Sequence, residues 1–219
     1  RPFERWSGDG ADSLASRKAA FCFAASAEPL LVQVGWSAVD EAGAARNLDV
    51  EQPRPDFEVV RREAEEAWEK ELSRIRIEDK NRERRRIFYT ALYHLSLQPN
   101  VYSDVDGRYR GRDDAIHSLS QGDTQYTVFS LWDTFRAAHP MYTLLDHWRT
   151  RDFVNTFLRQ YLEGGRRPVW ELSANETDCM IGYHAVPVMA EALLKGVGGI
   201  DTEQALTAMV ASAEGDRRG

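Results

Sequence analysis

The chain has 219 residues, 42% of them hydrophobic and 29% charged, with a formal net charge of −7. Such a composition suits a globular chain that buries a real core, and the acidic balance argues against nucleic acid, whose phosphates need a clustered basic face. No apolar run reaches transmembrane length, no basic-then-apolar leader opens the sequence, and no Cys/His spacing of a metal-binding type occurs.

In chain order, residues 1 to 55 have β character. Lys18–Ala25 and Leu30–Trp36 show strand-type alternation, the second with Leu30, Val32, Val34 and Trp36 on one face. Ala27-Glu28-Pro29 supplies a turn between them. Two strands do not make a stable sheet alone, so the expectation is the last hairpin of a β domain. The termini, Arg1-Pro2-Phe3 and Asp216-Arg217-Arg218-Gly219, do not look natural, and a piece of a longer chain is expected.

Asp40–Asn47 is expected to form one or two helical turns, stopped at Gln52-Pro53-Arg54-Pro55. From there the chain reads as helical. Asp56 caps a helix with Val60, Ala64, Ala67, Trp68, Leu72 and Ile75 at three-four spacing. A second runs from about Asn81 to Gln98, with Ile87, Phe88, Ala91, Leu92 and Leu95 inward. Its basic start, Arg82-Glu83-Arg84-Arg85-Arg86, is expected to be a solvated helix face. Asn100–Gln125 is a long loop, of the kind that is usually functional or disordered. Thr124–Pro140 is expected to be a buried helix breaking at His139-Pro140, and Thr150 to open another that closes at Gly164-Gly165. A loop, Arg166–Asp178, leads into a helix from about Cys179 to Lys195, where Pro187 implies a kink or a late start. Asp201 with Gln204 begins the last helix, through Ala213. Long loops after alternate helices fit an α/α toroid with function on one rim better than a four-helix bundle. Cys22 and Cys179 are expected as separate buried thiols, with pairing open in an oxidising compartment.

Two stretches carry candidate chemistry. In the first, Trp132 stands beside Asp133: an aromatic plate can cover the C–H face of a sugar ring while a carboxylate accepts bonds from its hydroxyls. The alternative is a core Trp, with Asp133 pairing to Arg136. The second, Trp170-Glu171-Leu172-Ser173-Ala174-Asn175-Glu176-Thr177, offers Trp170, Glu171, Asn175 and Glu176. Either Glu171 or Glu176 could accept from hydroxyls or act as a catalytic carboxylate, whereas Asn175 and Thr177 could simply cap a following helix. His184 is either a satisfied core histidine or an acid or base. The Asp104–Asp114 stretch has four carboxylates but the wrong spacing for a helical-hand calcium loop and interspersed arginines, so a turn at Asp106-Gly107 is expected. No nucleophile elbow, phosphate loop or dinucleotide fingerprint is present, which leaves paired-carboxylate hydrolysis as the best-supported enzyme class. The rival class is a non-catalytic helical carbohydrate-binding or interaction protein.

Several longer motifs carry a resemblance. Arg86-Ile87-Phe88-Tyr89-Thr90-Ala91-Leu92-Tyr93-His94, Ser103–Gly111, Tyr126–Thr134 and Asn175–Val188 (NETDCMIGYHAVPV) resemble glycoside hydrolase family 92 over roughly residues 30 to 219. That family consists of calcium-dependent α-mannosidases that remove terminal mannose with inversion. The resemblance implies an N-terminal β-sandwich represented by residues 1–55, a linker helix over 56–80, and the first part of an (α/α)6 barrel over 81–219. It places Trp132 and Asp133 in the pocket for the terminal mannose of a mannose-containing glycan, with Asn175 and Glu176 near it. The general acid, the water-activating base and most calcium ligands are expected beyond Gly219, so no catalytic or metal-binding residue is assigned and the piece alone is expected to be inactive. Inversion needs an acid and a base roughly 6.5–9.5 Å apart with water between them. Export, to the periplasm or outside the cell, is likewise implied only by the resemblance.

Overall fold

In a computed structural model, residues 23, 27, 29–54 and 56–215 are described. The Lys18–Ala25 run therefore lies, apart from Phe23, outside the described residues. Leu30–Trp36 does not form a strand. It has no ladder partner among the described residues, and its alternation is inverted: Val32 and Val34 are 74% and 81% exposed. Gly35 faces inward, and a Cβ there would collide with the carbonyl oxygen of Ala44. Backbone proximity at a glycine, and not apolar burial, sets this register.

Side-chain caps set the first helices. Asp40 accepts from Gly43 N at the start of α1 (Glu41–Glu51), Asp56 from Glu58 N and Val59 N at α2 (Phe57–Leu72), and Asn81 from Glu83 N and Arg84 N at α3 (Arg82–Leu95). Each satisfies backbone donors that have no intrahelical partner. In α3 only part of the expected face is covered: Leu92 is buried, while Ile87 is 60% exposed.

The Asn100–Gln125 stretch carries short antiparallel pairings. β1 (Asn100–Val101) pairs with β4 (Tyr126–Thr127), and β2 (Arg108–Arg110) with β3 (Ile116–Ser118). Asp106-Gly107 makes the expected turn, with Gly107 at φ +81°. Its carboxylates are engaged internally. Buried Asp104 accepts from Ser37 Oγ (2.7 Å) and Asn47 Nδ2 (2.8 Å), and Asp106 pairs with Arg46 at 2.7 Å. Arg108 reaches Asp40 at 2.8 Å, so the hairpin is latched onto α1 by charge and hydrogen bonds.

The expected helix over Thr124–Pro140 is divided instead. β4 is followed by β5 (Phe129–Ser130), a single turn α4 (Leu131–Thr134), and then α5 (Ala138–Leu145). Tyr126, Thr127, Val128 and Phe129 are aromatic or β-branched, and strand pairing wins over helix there. Pro140 starts a helix and does not break one: it sits in the first turn of α5, where its missing N–H would have had no partner. Asp146 then caps α6 (His147–Gly164), four residues earlier than Thr150, and Gly165 ends it at φ +73°. β6 (Trp170–Leu172) and β7 (Asn175–Glu176) occupy the following loop. α7 (Ala185–Leu194) has the late start that Pro187 implies, also in its first turn. Asp201 accepts from Gln204 N to open α8 (Thr202–Ala213).

The protein is mainly helical. Its main core lies where α6 meets α5, α7 and α8. Thr150, Phe153, Val154, Phe157 and Leu158 form one buried face of α6 at three-four spacing, and Met189, Ala192, Ala205 and Ala208 close over it. Among the described residues no helix is long and apolar enough to cross a membrane.

Candidate functional site

The two candidate stretches are brought together by one small sheet. β5, β6 and β7 form an antiparallel ladder in which Ser130 faces Trp170, Phe129 faces Glu171, Glu171 faces Glu176 and Leu172 faces Asn175. Side chains alternate across the ladder. Phe129 (1% exposed) and Glu171 (0%) point into the core, and the other face carries Ser130, Trp170, exposed Leu172 and exposed Asn175.

From Ser130 the chain turns directly into α4, which displays Trp132 at 48% exposure, with Asp133 also exposed. Ser130 caps no helix N–H. Its hydroxyl donates to the Asp133 carboxylate, which orients that acid. Arg136 does not take the role considered for it, because its guanidinium lies over the Phe135 ring, 4.9 Å from the centroid. Sequence reasoning passed over Ser130, although Ser-x-x-Asp is the spacing of a capping box and was visible in the sequence.

The β6–β7 hairpin is built tightly. Ser173 (φ +52°) and Ala174 (φ +63°) make its two-residue turn in the left-handed region, where neither residue is at home. Glu171 holds that turn from below. One of its oxygens accepts from Thr127 Oγ1 (2.8 Å) and Ala174 N (2.6 Å), the other from Val128 N (3.0 Å). Burial outweighs these bonds and pushes its carboxyl up to about 7. Glu176 is also turned inward, accepting from Val169 N (2.7 Å), Trp170 N (2.9 Å) and Asp178 N (3.1 Å). Asn175 precedes no helix; its side chain donates to Ser173 O at 3.0 Å and remains exposed.

These hydrogen bonds sort the candidates. Trp132, Asp133, Trp170 and Asn175 retain solvent-facing surface, whereas both oxygens of Glu171 and of Glu176 are engaged by the protein. An exposed indole and a serine-oriented carboxylate are groups that can hold a polyhydroxylated ring.

The catalytic-domain model of glycosyl hydrolase family 92 matches residues 43–219. The chain belongs to that family. Among solved structures, a family 92 α-mannosidase from Bacteroides thetaiotaomicron is 40% identical, with a TM-score of 0.77, over 83% of this chain and 24% of that one. The same enzyme has been solved in complex with mannoimidazole. An inverting family 92 mannosidase from Bacteroides thetaiotaomicron is 32% identical, with a TM-score of 0.74, over 80% of this chain and 24% of that one. This family 92 chain therefore spans about a quarter of the length of these relatives. None of the curated proteins matches it.

Within this family 92 chain, His184 lies against the first stretch. Its ring stacks on Phe135 with centroids 4.3 Å apart and planes 13° apart. It is not a satisfied core histidine: Nε2 is buried and has no hydrogen-bond partner among the described residues. Burial, helped by Arg136, lowers its pKa. Cys179 is exposed, contrary to expectation, and lies 3.1 Å from the Thr177 hydroxyl; Cys22 is outside the described residues. Its apolar neighbours Met180 and Ile181 belong to a loop, so they predict no burial.

Proposed function

We propose that the full-length protein is a calcium-dependent α-mannosidase that releases terminal mannose from glycans with inversion, and that this chain supplies the wall holding the sugar. The observation that carries the reading is the exposed Trp132–Asp133 pair, launched from β5 where Ser130 faces Trp170, in a chain of family 92. Trp132 covers the apolar face of the ring. Asp133, held by Ser130, accepts from adjacent hydroxyls, and Asn175 can donate or accept at the rim. Glu171 and Glu176 shape this wall from behind. His184 completes it through its stack on Phe135. The catalytic acid and base are assigned to none of these residues. The mannoimidazole complex of one Bacteroides relative supports the choice of sugar, and the other relative, an inverting mannosidase, supports the stereochemistry.

Calcium enters through the resemblance. Among the described residues no group of three or more His, Cys, Asp or Glu side chains could hold a metal ion. These residues do not fit the metal, and no step runs through it here. The finer architecture, a β-sandwich remnant ahead of α1, a linker helix over 56–80 and part of an (α/α)6 barrel over 81–219, belongs to the same proposal. So do export from the cytoplasm and inactivity of the piece alone. Large exposed apolar side chains support the last point: Leu144 and Leu194 are 75% and 89% exposed, surface that further helices would cover.

The test is turnover of an aryl α-mannoside by the full-length protein, with the first-released anomer followed by NMR, with and without a chelator. β-Mannose appearing first, and loss of turnover with the chelator, are expected. α-Mannose appearing first contradicts inversion, and chelator-insensitive turnover contradicts the calcium requirement.

A further inference from the structure

We propose that Glu171 is a positioning residue whose buried carboxylate fixes two backbone turns at once, the one that launches Trp132–Asp133 and the one that carries Asn175. This inference rests on the reading of that wall as a mannose site. The first turn is at Val128, immediately before β5, at φ +67°. A β-branched residue in the left-handed region is a genuine outlier, kept only where its surroundings over-determine it. What holds it is the 3.0 Å bond from its N–H to Glu171. The second turn is Ser173–Ala174, and there the Ala174 N–H goes to the same carboxylate at 2.6 Å.

Thr127 links the two turns. Its hydroxyl donates to Glu171 (2.8 Å) and accepts from Ser173 N (2.7 Å), so its proton is committed to the carboxylate. All three groups facing Glu171 are therefore donors, and an acceptor-only side chain answers them. An amide in its place would turn an NH2 toward at least one of them. A buried polar network of this kind is rigid when complete and costly when one member fails.

The charged and titratable groups around Glu171 are few. Arg112, between β2 and β3, favours the ionised form, and Tyr102, after β1, is itself pushed up to about 12 by burial, with Glu171 contributing. Glu176 faces it across the ladder. Burial outweighs the favourable contacts and brings the carboxyl to about 7. Near neutral pH the acceptor is thus partly converted to a donor, and as pH falls one of its three bonds is exchanged, although burial makes the neutral carboxyl the form the fold favours.

The experiment is a pH titration from 5 to 9 of tryptophan emission in the full-length protein, for wild type, Trp132→Phe, Glu171→Gln and Thr127→Val, alongside kcat/KM on an aryl α-mannoside. The wild-type protein should show an emission transition near neutral pH, absent in Glu171→Gln and reduced in Trp132→Phe. Thr127→Val removes a donor that favours the charged form, so the transition should move to higher pH. Glu171→Gln should lower kcat/KM roughly ten- to a hundredfold, the scale expected when reacting groups are slightly misplaced. A transition that persists in Glu171→Gln, or one that Thr127→Val leaves in place, overturns the inference. If Glu171→Gln does not fold, the Thr127→Val shift decides. Absence of wild-type turnover would sink the mannosidase reading, while the emission titration still judges Glu171.

Discussion

In α6 Phe153, Val154 and Phe157, at 0–1% exposure, form the apolar centre that packs against α5, α7 and α8, beside fully buried Thr150, Thr156 and Gln160. In the β5–β6–β7 wall the most deeply buried side chain is a carboxylate, Glu171, with three donors pointing at it. The helical core gains from area removed from water, which is non-directional and graded. The wall depends on directional bonds that hold backbone at unfavourable φ. A region that must present one fixed constellation to a ligand is better served by the second arrangement, and a region that must only hold together by the first.

The comparison can be broken in several ways. The largest expected effect is on the core. Phe157 is fully buried and meets Phe129 edge-on at 4.8 Å, so Phe157→Ala should cost about 3–5 kcal/mol in denaturant unfolding of the full-length protein. A loss under about 1 kcal/mol would mean that the helices are not the stability-bearing region.

A second test uses pH, because the two regions respond oppositely. Glu171 has a folded pKa raised above its ordinary value, so its stabilising contribution is complete below pH 4.5 and is lost as pH rises through about 7. His139, buried among Tyr142, Phe153 and Phe157, has its pKa pushed down to about 4 by burial alone. The unfolded state then binds the extra proton, and stability is lost as pH falls from about 6.5 toward 4. In the wild type the two slopes partly cancel between pH 4 and 7. Glu171→Gln should make stability rise with pH across that window, and His139→Leu should make it fall. Parallel slopes in both variants would contradict the assignment of one titration to each region.

The smallest expected effect sits outside both regions. Asn81→Ala, which removes the cap of α3, should cost about 1 kcal/mol and leave both pH slopes unchanged. A change in either slope would show that α3 is coupled to the wall or to the core.

What the sequence disclosed follows the same division. Caps at Asp40, Asp56, Asn81 and Asp201, the three-four face of α6 and the glycine stop at Gly165 are local signals, and each is where a local rule puts it. The wall is non-local. Glu171 meets Thr127 across 44 positions of chain, and no window of either stretch announces that contact. Thr124–Pro140 misled because its apolar residues serve a strand, a single turn and a helix in succession. Leu30–Trp36 misled because alternation alone does not say which face is covered, and the glycine face was. Trp132–Asp133 stood out by residue type, but that its launch point, Ser130, faces Trp170 required the β5–β6 register.

The central claim, that the Trp132–Asp133 pair holds the terminal sugar, is tested most directly by Asp133→Ala in the full-length protein, measured for α-mannoside turnover and for circular dichroism and thermal melting. Asp133 is exposed and its described hydrogen bond is to Ser130, so the melt should be unchanged. The account predicts that kcat/KM falls by roughly a hundredfold or more, the scale of losing a charged hydrogen-bond acceptor at the sugar. Near-normal turnover with an unchanged melt would contradict it.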